Sequence, residues 1–91
     1  MNKAKEIDGI QVVVVDGKDR TFDSHIRGMT NAGNFTMGGV LHTIYTKNLR
    51  GGPILNGARR HRVCDAISDW ITKEAREQHK NFDARTNFEN F

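Results

Sequence analysis

The run Arg59-Arg60-His61-Arg62 is the densest group of chemistry-bearing side chains in the chain. A guanidinium presents a planar fork of N–H donors that fits carboxylate and phosphate oxygens two at a time, so such a run points to anion binding. An amphipathic pattern begins near residue 56, which places the run in the first turns of a helix. Free backbone N–H groups and the macrodipole already make that end positive. Each arginine there costs about 0.3–1 kcal/mol at low salt, and a bound anion reverses the sign of that cost. Arg50-Gly51-Gly52 lies just upstream and reads as a glycine-bearing approach to the helix end. The plainer alternative is a set of solvated arginines partly neutralised by Asp65 and Asp69 on the following turns.

Other chemistries find less support. Gly52 and Gly57 bracket four residues as in a Walker A loop, but Ala58-Arg59 stand where that loop needs Lys and then Ser or Thr. Nucleotide hydrolysis is excluded on that ground. A single Arg-Gly-Gly is too little for an RNA-binding tract, which acts through repetition. His25, His42, His61 and His79 are far apart and form no HExxH pair, so neither a metal site nor a cofactor is expected. His25 and His42 are candidates to face one another across strands. Cys64 lies beside the apolar stripe of the helix and reads as a small buried thiol. The adjoining arginines offer the one route to a reactive cysteine, by lowering its pKa. No Ser, His and Asp arrangement stands out, and the expectation is a binding protein rather than an enzyme.

Charge placement sharpens that expectation. The net charge is +3, yet between Asp23 and Asp65 there is no Asp or Glu at all. The same stretch holds Arg27, Lys47, Arg50, Arg59, Arg60 and Arg62, and seven of the nine glycines, so it is basic and loop-rich together. Phosphate contacts from such a surface give affinity with little sequence preference. Phe35 and Tyr45 lie in the same stretch and are candidates to stack on bases.

The elements that must position these residues follow from periodicity. Residues 10–15 form a β-branched apolar run, and Asp16-Gly17 after it has hairpin-turn chemistry, so residues 20–26 are expected as the return strand. Residues 28–34 read as a loop. Residues 35–46 read as one or two strands with Gly38-Gly39 marking a bulge or turn, although Val40, Leu41, Ile44 and Tyr45 also fit helical spacing. From residue 56 to about 80, Val63, Ile67, Trp70, Ile71 and Ala75 recur at intervals of three and four, so one face of a long helix lies across the sheet. The fold class is therefore α+β: a small N-terminal antiparallel sheet, a hairpin plus one or two further strands, packed against one long C-terminal amphipathic helix.

Ninety-one residues fit one domain, set here at residues 1–80, with residues 81–91 as an aromatic tail. Phe82, Phe88 and Phe91 in that tail each offer about 1.5–3 kcal/mol on full burial. They fold back over a thin core or dock on a second subunit or another protein. The single cysteine cannot form an internal disulfide, and no apolar run approaches the length of a membrane span, so a cytoplasmic location is expected. The leading expectation is a small non-enzymatic protein that binds nucleic acid through Arg59, Arg60 and Arg62, extended by Arg50, Lys47 and Arg27. One alternative is a phage-type inhibitor or modulator that occupies an acidic surface of a larger enzyme. Another is a binder of a phosphorylated small ligand or cyclic nucleotide.

Overall fold

Asp8-Gly9 makes the first turn of the chain. Both residues have positive φ, +50° and +78°. That is the pattern of a tight two-residue hairpin, and Gly or Asp tolerates it best. The turn joins β1 (Lys3–Ile7) to β2 (Ile10–Asp16), paired antiparallel from Lys3 opposite Val14 to Ile7 opposite Ile10. This differs from the expected hairpin. Of two Asp-Gly pairs, the one before the apolar run makes the turn, and residues 20–26 form turns rather than a return strand. The period of two around Phe22, Ser24 and Ile26 was misleading because half-buried turn residues mimic it over so short a stretch. β1 itself hides in the sequence because it is an exposed edge strand carrying Lys3, Lys5 and Glu6, the charged dress that edges commonly wear.

A computed structural model describes residues 2–17, 20–51, 57–77 and 87–88. Two further strands, β3 (Thr30–Met37) and β4 (Val40–Asn48), are joined at Gly38-Gly39, where φ is +60° and +76°. The glycine pair is thus a turn between two strands, and the helical alternative for residues 40–49 falls away. β3 starts at Thr30, inside the stretch expected to be a loop. Its polar, small-residue opening carries a bulge between Asn31 and Gly33, where Asn31 Oδ1 accepts a hydrogen bond from Gly33 N at 3.1 Å and Ala32 drops into the core. The helix is α1 (Gly57–Arg76), followed by a turn at Glu77; residues 56 and 78–80 of the expected helix lie outside the described residues. Asn87–Phe88 add to β3 as a two-residue β5, completing the order β1-β2-β4-β3-β5, with every pairing antiparallel. The tail backbone therefore returns to the sheet at these two residues, while Phe82 and Phe91 lie outside the described residues.

The core forms between α1 and one face of the sheet. Ile10, Val12, Val14, Ala32, Phe35, Met37 and Ile44 meet Val63, Ile67, Trp70, Ile71 and Ala75, the five helix positions the periodicity picks out. Two contacts extend this packing to the edge: Lys5 Nζ sits 6.0 Å from the Trp70 ring centre, and Lys3 Nζ lies 3.8 Å from Glu74 Oε2. With Lys3 near the helix end and Asp8 near its start, α1 runs antiparallel to β1. β2 and β3 both flank β4, so the connection between them must cross β4 over one face of the sheet. Val13 and Val15 point away from α1 by alternation and are nonetheless buried. Their burial is consistent with a crossover on that face, and Phe22, Ile26 and Met29 are its half-buried apolar residues. Among the described residues no helix is long and apolar enough to cross a membrane.

Candidate functional site

Four elements end together at one pole of the sheet. The β1–β2 turn, the close of β4 at Asn48 opposite Ile10, the opening of β3 at Thr30 opposite Thr46, and the first turns of α1 all lie there. After β4 the chain turns through Asn48 to Gly51, with Gly51 N donating to Asn48 O at 3.0 Å and Arg50 N to Asn48 Oδ1 at 3.1 Å. Leu49 N donates to Gly9 O at 3.0 Å, which ties this second turn to the first. The positive φ of Gly51, +74°, is what lets the chain close so tightly.

These ties bring three arginines to one place. Arg59 donates through Nη2 to the Asp8 carbonyl oxygen at 2.8 Å and through Nε to Asp8 Oδ2 at 3.4 Å. Arg62 reaches the same Oδ2 through Nη2 at 3.3 Å. Arg50 lies alongside: a Cβ built on Gly9 would sit 3.7 Å from Arg59 Nη2 and 3.9 Å from Arg50 Nε. Two guanidiniums thus share the Asp8 carboxylate, a third lies beside Gly9, and the group stays positive. The first turn of α1 contains no acidic residue. The bond from Arg62, helped by Arg59, holds the Asp8 carboxyl below its ordinary value, with partial desolvation acting in the opposite sense. All of these groups keep substantial solvent access, so each pair contributes little to stability.

The other expected contact residues divide. Lys47 is exposed one residue before Asn48 and faces away from α1, so it extends the basic surface around the end of the sheet. Arg27 is exposed in the crossover, three residues before Thr30 opens β3 at the same pole. Arg60 is half-buried and sits one helical turn before Cys64, where its positive charge acts to lower the thiol's pKa. Tyr45 is half-buried on the face shared with Lys47. Phe35 is not available to a base: it is a core residue on the helix face, stacked at 5.1 Å and 10° on His42, its cross-strand partner.

Among the described residues His25 and His42 do not converge, and His79 lies outside them. His25 is exposed in the crossover, with its ring 5.0 Å from that of Phe22, whereas His42 is buried in β4 with Nδ1–H donating to the Val40 carbonyl at 3.0 Å. They therefore do not face one another across strands. Burial pushes the His42 pKa down, against the Val40 hydrogen bond. Burial likewise pushes the Cys64 thiol up, and Arg60 only partly opposes it, the opposite sense to the lowering that a reactive thiolate needs. Compared with protein-family models, curated proteins and solved structures, the chain matches none.

Asp8 is the site residue that sequence reasoning missed. It replaces Asp65 and Asp69 as the carboxylate that meets the arginines, from about fifty positions away. The available signal was the Asp8-Gly9 pair just ahead of the apolar run, a hairpin tip in its own right.

Proposed function

We propose that the protein binds the phosphate backbone of nucleic acid with the pole formed by Arg50, Arg59 and Arg62, extended by Lys47 and Arg27. The observation that carries the reading is the convergence of three guanidiniums on the Asp8-Gly9 turn with a single carboxylate among them. Convergence of this kind fits a repeated anion better than isolated ion pairs, because each exposed pair alone is worth little. Arg50 comes from the β4 turn, Arg59 and Arg62 from the helix and Lys47 from the far face, so the basic surface wraps an end of the fold. A surface of that shape fits the flank of a strand or duplex. Tyr45, half-buried on the face shared with Lys47, is the remaining candidate to stack on an unpaired base. No base-reading element is assigned, and binding is expected to be sequence-tolerant.

Fluorescence anisotropy with labelled duplex and single-stranded oligonucleotides tests this. If three phosphates are neutralised, raising salt from about 50 to about 200 mM weakens duplex binding roughly 40-fold and single-strand binding roughly 20-fold. No binding at low salt would reject the reading. A response to inorganic pyrophosphate alone would move the assignment to a small phosphorylated ligand.

A further inference from the structure

We infer that Asp8 is a built-in competitor for the phosphate, occupying the arginine fork in the free protein and giving it up when the ligand binds. The inference rests on the nucleic-acid reading above and names how that same site is regulated. Arg59 and Arg62 both address one oxygen of Asp8, at 3.4 and 3.3 Å, so this single anionic oxygen sits where a phosphate oxygen would sit between two forks. Both bonds are longer than the roughly 2.7–2.9 Å typical of charge-assisted pairs, and the three side chains are 36 % to 68 % exposed. The carboxylate is therefore held loosely enough to yield.

The contact that positions the site is a different one. Arg59 Nη2 grips the Asp8 main-chain carbonyl at 2.8 Å, the shortest of the three bonds, and this grip does not involve the carboxylate. When phosphate displaces the side chain, Arg59 keeps its anchor on the hairpin, and its Nε and the Arg62 Nη2 turn to the incoming oxygen. The turn thus does two jobs with one residue: its backbone orients a guanidinium, and its side chain keeps weaker anions out.

Asp8→Asn separates these jobs. Asparagine accepts positive φ at least as readily as aspartate, so the turn and its carbonyl survive while the charge goes. Anisotropy of a labelled single-stranded oligonucleotide at about 50 mM salt compares wild type, Asp8→Asn, Arg59→Ala/Arg62→Ala, and Asp8→Asn added to Arg59→Ala/Arg62→Ala. Thermal melts show each protein folded, and Asp8→Gly replaces Asp8→Asn should that variant melt early. The expected result is about two- to tenfold tighter binding by Asp8→Asn, a gain absent from the double-arginine background and shrinking toward 1 M salt. Binding by wild type with no gain in Asp8→Asn would overturn the competitor role and leave the nucleic-acid reading standing. A gain that persists without Arg59 and Arg62 would overturn it too, since the effect would then be one of overall charge. If neither wild type nor Asp8→Asn binds, the nucleic-acid reading falls and this inference with it.

Discussion

Arg59 bridges the helix and the first hairpin by donating to the Asp8 carbonyl oxygen at 2.8 Å, across 51 positions of sequence. This bond places a guanidinium whose exposed location alone would leave it free to sample many rotamers. It lies at the end of the sheet that the helix start faces, where the positive charge collects. Four consequences of the architecture are open to measurement.

Ile67 lies fully buried in the middle of the α1 stripe, against the sheet. Ile67→Ala removes three carbons and leaves a cavity in a core only one helix thick, so it should cost about 2–5 kcal/mol. Urea denaturation monitored by Trp70 fluorescence would show the midpoint falling. A loss under about 1 kcal/mol would mean that the helix packs more loosely than described.

His42 should make the fold sensitive to mild acid. Its pKa is lowered in the folded state by burial, so the unfolded chain takes up its proton first as pH falls. Its neutral form favours folding fully above the ordinary value of about 6.5, and that contribution is lost as pH drops from there toward the folded value. Thermal melts between about pH 7.5 and 5 should show a decline that His42→Gln flattens. Asp16, opposite His42 in the register, acts in the other direction and tempers the effect.

Cys64 should be slow to alkylate. Burial raises its pKa, and the positive charge of Arg60 opposes this only in part. Iodoacetamide at about pH 8 should modify the folded protein more slowly than the unfolded chain, and Arg60→Ala should slow it further. Faster reaction in the folded state would restore a redox or catalytic role for this thiol.

The fold was readable where periodicity is long and the apolar positions are unambiguous. Val63, Ile67, Trp70, Ile71 and Ala75 span more than three helical turns, enough for the spacing of three and four to exclude a strand. The central strand β2 announced itself because it is apolar on both faces, one covered by α1 and the other buried as well. Edges were harder to see. β1 carries almost no apolar signal because its outer side and much of its surface meet water, so the first hairpin was assigned to the wrong Asp-Gly pair. β3 opens on Thr30 and Asn31 with a bulge, and its identity comes from pairing with β4 rather than from its own side chains.

The site was half-legible for a related reason. Residue types and the long acid-free stretch mark Arg50, Arg59 and Arg62, since local density shows in a linear string. Their partner Asp8 does not show, because its contact depends on which way the helix lies over the hairpin. Phe35 likewise shares the basic stretch with Tyr45, but the alternation of β3 and β4 sends it inward.

The most direct test of the central claim compares oligonucleotide binding by wild type, Arg50→Ala/Arg59→Ala/Arg62→Ala and Arg60→Ala at about 50 mM salt, with each protein shown to be folded. Loss of three phosphate contacts should abolish most of the salt-dependent affinity in the triple variant, whereas Arg60→Ala should bind within about threefold of wild type because the contacts at the Asp8-Gly9 turn come from Arg59, Arg62 and Arg50. Equal loss in both, or undiminished binding by the triple variant, would contradict a phosphate site centred on the Asp8-Gly9 turn.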